Sequence, residues 1–126
     1  MAHMGLTEAE WQVMECLWAS APRTGRDIID ALHDATGWSR STTLTLLRRL
    51  EDKGAVSAEN RDGVKQYRPQ VAREDAAVRE TEHLLERVYQ GSVSLMVSSL
   101  VKKQTLSQEE IDKLYAILRE MEEEHD

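Results

Sequence analysis

The sequence predicts a mainly α-helical fold with a small β-hairpin wing, in which an N-terminal winged helix-turn-helix precedes a C-terminal region of three helices. Three observations predict this class. Apolar residues recur at helical spacing in three short segments before Gly54. The pattern then changes to two short strand-like runs around Asp62-Gly63, which is a hairpin signal. Helical spacing returns after Val71.

The first two predicted helices are delimited by capping residues and a proline. Thr7 and Glu10 form the S/T-x-x-E pattern of a capping box. Pro22 interrupts the helical pattern, and Thr24 can cap the segment that follows. The apolar residues predicted to face the core are Trp11, Met14, Leu17, Trp18, Ile28, Ile29 and Leu32.

The third predicted helix carries two different faces. Ser39 can cap this helix, and Gly54 can end it in a left-handed conformation. At about 100° per residue, the side predicted to be buried is formed by Thr43, Leu46, Leu47 and Leu50. The other side and its flanks carry Ser41, Thr42, Thr45, Arg48 and Arg49. A solvated face usually carries Glu and Lys instead, because these residues have high helix propensity.

Short hydroxyl side chains and arginine on one helix face are typical of a helix that reads DNA. Ser and Thr let a helix lie deep in the major groove, and a threonine methyl can contact a thymine methyl. Arg can bind a guanine edge or a phosphate. Thr42 and Thr45 are predicted to read base edges, while Arg48, Arg49 and the basic wing residues hold phosphates. The predicted DNA-binding residues are Arg40, Ser41, Thr42, Thr45, Arg48, Arg49, Arg61 and Lys65, with Arg68 as a further wing cation.

The charge distribution agrees with a local DNA-binding surface. The formal net charge is −7, but residues 38–70 carry seven Lys/Arg against four Asp/Glu. Residues 71–126 carry seven against thirteen, so most of the acidic excess lies in the C-terminal part. Affinity for phosphate follows the local patch rather than the average charge.

The composition also predicts the compartment. No apolar run approaches the roughly 20 residues needed to cross a bilayer. The N-terminus lacks the apolar segment of a signal peptide. The single cysteine, Cys16, excludes an intramolecular disulfide and agrees with a reducing environment. We therefore expect a cytoplasmic protein that does not insert into membranes.

The helical pattern after Val71 predicts a dimerisation surface. Ile111, Leu114, Leu118 and Met121 recur in steps of three and four residues, as in a helix–helix seam. Three helices of this size make a weak isolated core, and pairing with a second copy would bury their apolar stripes. An ordinary intrachain core is the alternative. The predicted dimer-interface residues are Leu84, Val88, Leu95, Met96, Leu100, Ile111, Leu114 and Leu118.

Motifs for catalysis and metal binding are absent from the sequence. There is no Gly-rich phosphate loop, no G-x-S-x-G and no H-E-x-x-H. His33, His83 and His125 lack the spacing of metal ligands, and Cys16 is interpreted as a small packed residue. We therefore predict that the protein is not an enzyme and that it uses no metal or cofactor.

Four segments occur in the order "EWQVMECLW", "GWSRSTTLTLLRRLEDKG", "VYQG" and "LSQEEIDKL". As a set they resemble the penicillinase and methicillin-resistance repressors of the BlaI/MecI family, with a likeness from Leu6 to about Leu118. The resemblance implies a homodimeric repressor of a β-lactamase or similar resistance gene, which binds palindromic operators with TACA and TGTA half-sites. Positions that contact DNA in the family match Thr42, Thr45 and Arg49. Ser41 and Leu44 depart from the longer basic or polar residues common there.

The resemblance also implies how repression ends. In the family, a membrane zinc protease that is activated by β-lactam leads to a cut in the dimerisation region. The matching bond in this sequence is Ser99-Leu100, where family members with known cuts usually have Asn-Phe. The predicted division of the chain is a cloning scar at residues 1–5, a winged helix-turn-helix DNA-binding domain at residues 6–70 and a helical dimerisation domain at residues 71–126.

Two alternative functions remain open at this point. Winged helices also bind proteins, and the acidic C-terminal half offers a surface for that purpose. Alternatively, the chain is a DNA-binding repressor that is released by a small-molecule inducer held between the domains. The first alternative does not require the Thr/Arg face, and the sequence offers no convergent polar pocket for the second.

Overall fold

The computed structural model describes residues 5–103 and 106–125, so residues 1–4 of the predicted cloning scar lie outside the described residues. The elements are α1 (Glu8–Ala19), β1 (Arg23–Thr24), α2 (Gly25–Thr36), α3 (Arg40–Lys53), β2 (Val56–Arg61), β3 (Val64–Pro69), α4 (Arg73–Tyr89), α5 (Val93–Lys102) and α6 (Gln108–His125). The predicted mainly helical class with a small hairpin wing is confirmed. None of the described helices combines the length and the apolar character needed to span a membrane.

Side-chain caps determine where the N-terminal helices begin. The hydroxyl Oγ1 of Thr7 accepts a hydrogen bond from the backbone N of Glu10 at 3.1 Å, and Glu10 Oε1 accepts one from the backbone N of Thr7 at 2.8 Å. This reciprocal pair is the predicted capping box of α1. Thr24 and Ser39 cap α2 and α3 in a similar way, since their hydroxyl oxygens accept from the backbone N of Asp27 and Thr42. Gly54 ends α3 at a φ of 79°, where a side chain would be strained.

A three-stranded antiparallel sheet has the order β1-β3-β2. Its hairpin turn has Asp62 and Gly63 at φ values of 52° and 81°. Two successive positive φ values are typical of a type I′ turn, whose twist matches that of the paired strands. The sequence pattern does not predict β1, because two residues are too few to show alternation. These residues are recognised as a strand only through their pairing with Tyr67 and Gln66 of β3.

One core lies between α1, α2, α3 and the sheet. Its buried apolar side chains are Val13, Met14, Leu17, Ile28, Leu32, Leu46, Leu47, Leu50, Ala55, Val56 and Tyr67. Trp11, Trp18 and Ile29, which the periodicity also assigns to the core, are half-buried. The two indole rings meet edge to face with centroids 5.0 Å apart, so they close the border of the core rather than its centre.

The chain divides into two compact units, one ending at Thr81 and the other beginning at Glu82. The predicted boundary at residues 70 and 71 lies earlier in the chain. The start of α4 is bound to α1, since Arg73 donates from Nε and Nη2 to the Glu15 carboxylate at 2.8 and 3.0 Å. The indole of Trp18 also donates to the carbonyl of Val71 at 2.8 Å. These contacts explain why the first part of α4 belongs to the N-terminal unit.

The C-terminal unit contains the end of α4 together with α5 and α6. The three predicted C-terminal helices are therefore present. No described side chain from Glu82 onwards is buried, and several large apolar residues there are among the most exposed in the chain. The predicted role of this region in dimerisation stays a prediction.

Candidate nucleic-acid interface

Helix α3 has one buried face and one exposed face, as its periodicity predicts. Thr43, Leu46, Leu47 and Leu50 are at most 5% exposed. The six α3 residues predicted to bind DNA are all exposed, namely Arg40, Ser41, Thr42, Thr45, Arg48 and Arg49. Leu44, which departs from the family pattern, is half-buried and packs against the core. Only part of its side chain is therefore available to a ligand.

Ser39 organises the first turn of α3. Its Oγ accepts the backbone N–H of Thr42 at 3.2 Å and donates to Thr42 Oγ1 at 3.0 Å. The hydroxyl of Ser41 lies 3.2 Å from the same Oγ. Because Ser39 has a single hydroxyl proton, Ser41 is the donor in that second contact. The hydroxyls of Ser41 and Thr42 therefore have defined positions on the exposed face, and both keep acceptor lone pairs for a base edge.

Ser41, Thr42, Thr45 and Arg49 line one shallow depression on the outer surface, with Leu46 at its base. The short side chains of Ser41, Thr42 and Thr45 would allow a ligand to come close to the α3 backbone here. Within the described residues, no hydrogen bond or ion pair engages the guanidinium groups of Arg48 and Arg49. Both groups are thus available to a guanine edge or a phosphate.

The hairpin does not bring the three wing cations onto one face. Strand alternation and the pairs Ser57↔Arg68 and Arg61↔Val64 put Arg61 and Arg68 on the side opposite to Tyr67. The Nε of Arg61 lies 3.7 Å from the carboxylate of Glu59, which reduces the positive charge of that side.

Lys65 lies on the other side of the hairpin, next to α3. Its Nζ is 3.3 Å from Glu51 Oε1 and 5.5 Å from the centre of the Tyr67 ring. The hydrogen bond to Glu51 is the main cause that raises the pKa of Lys65. Lys65 is therefore associated with α3 rather than with the outer face of the wing.

The penicillinase repressor family matches residues 6–120 of this sequence. The chain belongs to this family. It is 31% identical over 113 residues to the methicillin resistance regulatory protein MecI of Staphylococcus aureus (strain N315), covering 90% of this chain and 92% of that protein. It is 32% identical over 115 residues to a penicillinase repressor of Bacillus licheniformis, covering 91% of this chain and 90% of that protein.

Two solved structures of BlaI repressors support the same family fold. The DNA-binding domain of the repressor BlaI matches with a TM-score of 0.54 and 28% identity, over 59% of this chain and 90% of that domain. The monomeric form of Bacillus licheniformis BlaI, in complex with the blaP half-operator, matches with a TM-score of 0.52 and 30% identity, over 56% of this chain and 87% of that one. The names of these relatives support transcriptional repression as the class of function of the family member described here.

This penicillinase repressor family member also contains an ion pair that is not among the predictions from the sequence. Lys53 Nζ, in the last turn of α3, lies 2.6 Å from Glu10 Oε1 in the first turn of α1. The Glu10 side chain is 1% exposed and the Lys53 side chain is 33% exposed. Burial acts to raise the pKa of the Glu10 carboxyl, but hydrogen bonds from Lys53 and Thr7 outweigh it and hold the pKa below its ordinary value.

A signal for this pair exists in the sequence. Glu10 precedes Val13, Met14 and Leu17 by three, four and seven residues, so it lies on the apolar face of α1. A carboxylate on that face needs a buried cationic or hydrogen-bonding partner. The capping-box interpretation accounts for only one of its interactions.

The predicted dimer-interface residues fall into two classes of exposure in the C-terminal unit. Leu84, Val88, Leu95, Leu100 and Leu118 are exposed, whereas Met96, Ile111 and Leu114 are half-buried. Ser99 and Leu100, the predicted cleavage site, lie within α5. Successive residues differ by about 100° around a helix, so Leu95 does not share the face of Met96 and Leu100.

Cys16 is half-buried, and its sulfur accepts a hydrogen bond from Arg23 Nη1 at 3.3 Å. Burial is the main cause that raises the pKa of this thiol, so it is a weak nucleophile at neutral pH. These contacts agree with the interpretation of Cys16 as a packed residue. Among the described residues, no three His, Cys, Asp or Glu side chains are grouped in a way that could hold a metal ion.

Proposed function

We propose that this chain is a sequence-specific DNA-binding repressor that acts as a homodimer on a palindromic operator. The observation that carries the proposal is the exposed face of α3, where short hydroxyl side chains with defined positions lie beside unpaired guanidinium groups. This combination suits a major groove. The BlaI relative whose structure contains a half-operator supports the same reading.

Within this proposal the exposed residues have different tasks. Thr42 and Thr45 read base edges, because their short hydroxyl side chains are exposed on the outer face of α3. Arg48 and Arg49 hold phosphates or a guanine edge on either flank. Arg40, Ser41, Arg61 and Lys65 complete the contact surface, with Lys65 adjacent to α3 through Glu51 and Arg61 on the outer side of the wing.

The homodimer is proposed because the C-terminal unit leaves its apolar side chains uncovered. A second copy would cover the exposed leucines and valines by a symmetric interface. Two-fold symmetry would then present two recognition helices about one DNA turn apart, as a palindrome requires. We propose TACA and TGTA half-sites and a β-lactamase or related resistance gene as the target, on the basis of family membership.

Relief of repression by a membrane sensor protease is the remaining part of the proposal. The bond between Ser99 and Leu100 lies in helix α5, and proteases bind their substrates in extended form. Cleavage would therefore require the end of α5 to open locally. Incubation with the cognate sensor protease should give two fragments, and a chain that stays intact would contradict this step.

The central experiment is fluorescence anisotropy with a labelled duplex that carries TACA and TGTA half-sites, compared with a scrambled duplex of equal composition at two salt concentrations. We expect tighter, salt-sensitive binding to the palindrome with two chains per duplex. Weak and equal binding to both duplexes would direct the search to a selection from random duplexes. If that selection enriches no sequence, the result would favour a protein-binding module.

Two substitutions separate base reading from phosphate binding. Thr45→Ala should lower the preference for the palindrome by about 1–3 kcal/mol, with little change on scrambled DNA. Arg49→Ala should weaken binding to both duplexes and flatten the salt dependence. Arg119→Ala, an exposed arginine of α6, is the control for loss of one positive charge.

A further inference from the structure

The last turn of α3 is bound to the first turn of α1 by a small group of polar atoms. Lys53 Nζ donates to Glu10 Oε1 and to the carbonyl oxygen of Gly5, both at 2.6 Å. The backbone N of Thr7 donates to the same Glu10 oxygen at 2.8 Å. Two donors thus converge on one carboxylate oxygen that is shielded from water. Within the described residues, the other oxygen, Oε2, is buried without a hydrogen-bond partner.

Net stability is a weak explanation for such a pair, although loss of one partner alone would destabilise the chain. The Glu10 carboxylate is removed from water and the Lys53 ammonium partly so, and the mutual attraction of such ions often only offsets the cost of their desolvation. Well-packed apolar side chains at the same positions are frequently as stabilising or more so. The pair also leaves Oε2 without a hydrogen bond, which adds a further cost. A role in position or specificity accounts better for its presence.

The position of α3 needs such a directional contact. Leu44, Leu46, Leu47 and Leu50 pack against the core, and such apolar packing is not directional. The ion pair between Glu51 of α3 and Lys65 of β3 is directional but much more exposed than the pair between Lys53 and Glu10. Apolar packing tolerates small rotations and translations of a helix. An ion pair tolerates them less well, because both ions lose their partner when the helix moves. Lys53 is the last residue of α3 and Ser39 caps its first turn. The Lys53 contact therefore attaches the C-terminal end of α3, the helix that carries the exposed threonines, to the start of α1.

We propose that the ion pair between Lys53 and Glu10 positions the DNA-reading face of α3 and so controls discrimination between operator and other DNA. The inference rests on the proposed function. Base edges must be met within about 0.5 Å of the productive geometry. Phosphate contacts by long arginine side chains adapt to a small displacement. Loss of the pair should therefore reduce sequence preference while leaving nonspecific affinity nearly unchanged. Lys53 and Glu10 act through Thr42 and Thr45, so they are positioning residues.

The decisive variant is Glu10→Met combined with Lys53→Met. The double change removes one negative and one positive charge, so the net charge and the long-range attraction to DNA are preserved. Methionine has a volume close to both side chains and adapts to irregular space. The control is Glu15→Gln with Arg73→Gln, which also removes one negative and one positive charge, here from an exposed ion pair between α1 and α4. The control does not involve α3.

Each chain is measured by thermal unfolding and by anisotropy on the palindromic and scrambled duplexes. We expect the double Met variant to stay folded and its ratio of operator to scrambled affinity to fall about tenfold, comparable to one mismatched base pair. Its affinity for scrambled DNA and its salt slope should match those of the wild type. The Gln control and Lys53→Arg, which can keep the pair with Glu10, should retain the wild-type ratio.

Three results would overturn the inference. If the folded double variant keeps the wild-type ratio of operator to scrambled affinity, the ion pair has only a structural role. A loss of affinity for both duplexes, with a salt slope smaller by about one, would show that Lys53 holds a phosphate. A wild-type chain without operator preference, both on the TACA/TGTA duplex and after selection from random duplexes, would overturn the proposed function itself. If the double variant does not fold, Glu10→Gln decides the matter by the same affinity ratio.

Discussion

The N-terminal and C-terminal units differ in how completely they cover their own apolar surface. In the first unit, eleven apolar side chains of the helices and the sheet form one buried cluster. In the second, which begins at Glu82, no described side chain is buried, and Leu118 and Tyr115 are 55% and 59% exposed. Large exposed apolar patches on soluble chains usually mark an interaction site. The first unit thus covers its own apolar core, whereas the second leaves large apolar side chains exposed.

This difference agrees with the proposal that the first unit reads DNA and the second forms the dimer. A surface that reads base edges must be held rigidly, and a closed core with capped helices provides that rigidity. A dimerising surface must instead stay apolar and accessible until the second copy arrives. Substitutions in the two units should therefore affect different observables. Core changes should act on unfolding of the single chain, and changes in the second unit should act on association.

The largest effect is expected from Leu47→Ala. Leu47 is 1% exposed within the core, so its truncation removes apolar contacts and leaves a cavity. We expect the free energy of unfolding of the N-terminal unit to fall by about 2–5 kcal/mol, independent of protein concentration. Denaturant titration at two concentrations measures this effect. The comparison variant, Leu118→Ala, should show a concentration-dependent loss. The division between the units would be incorrect if both variants behaved alike.

A charge at Leu118 should disrupt association with an effect of about 2–4 kcal/mol per dimer. Leu118→Glu would bury two carboxylates at the proposed interface, one from each copy. Sedimentation equilibrium should show a shift from dimer to monomer, while the unfolding of the N-terminal unit stays unchanged. Arg119→Glu places the same acidic side chain on the next residue of α6 and serves as the control. If the Leu118→Glu chain remains dimeric, Leu118 is not part of the interface.

Acid should weaken the N-terminal unit through Glu10. The pKa of this carboxyl is lower in the folded chain than its ordinary value of 4.5, because Lys53 and Thr7 outweigh the effect of burial. Its contribution to stability is therefore fully present above pH 4.5 and is lost as the pH falls through the folded value.

The pH dependence is tested by comparing Glu10→Gln with the wild type. The variant should unfold more easily at pH 7, by about 1–3 kcal/mol, and the difference should shrink at pH 3. Glu15→Gln is the control, because Arg73 lowers the pKa of Glu15 in an exposed pair that contributes little. A difference at Glu10 that is the same at both pH values would contradict the linkage.

Local patterns in the sequence predict much of the N-terminal unit. The two faces of α3 follow from helical periodicity, and the hairpin turn follows from Asp62-Gly63, because these signals lie within a few residues of each other. Features that depend on distant residues are not predicted in this way. Lys53 and Glu10 are 43 residues apart. β1 exists only through its pairing with β3.

The candidate site shows the same limit. Its exposed threonines and arginines can be identified from the period of α3 alone. The sequence places Arg61, Lys65 and Arg68 together on a wing, but strand register separates Lys65 from the other two. Glu51 then associates Lys65 with α3. Longer basic or polar residues are common in the family at the position of Leu44, which suggests an exposed site, yet Leu44 packs against the core. Such assignments need the tertiary structure, since they depend on which element lies beside each side chain.

The smallest predicted effect concerns Thr43, a polar side chain in the closed core. Thr43 is fully buried, and within the described residues its hydroxyl oxygen has no hydrogen-bond partner. Thr43→Val replaces this hydroxyl by a methyl group of similar size, so the penalty for the unpaired group disappears. We expect the free energy of unfolding to rise by about 0.5–1.5 kcal/mol in denaturant titration. Operator affinity should stay at the wild-type value, because the Thr43 side chain is buried whereas those of Thr42 and Thr45 are exposed.

The control for this change is Thr45→Val, which makes the same replacement on the exposed face of α3. It should leave the unfolding free energy within about 0.5 kcal/mol, as is usual for surface positions, while lowering the preference for the palindrome through loss of the hydroxyl. Opposite responses of two threonines two residues apart would separate the folding role of α3 from its reading role. A destabilised Thr43→Val chain would mean that the buried hydroxyl has a partner in solution, such as an ordered water molecule.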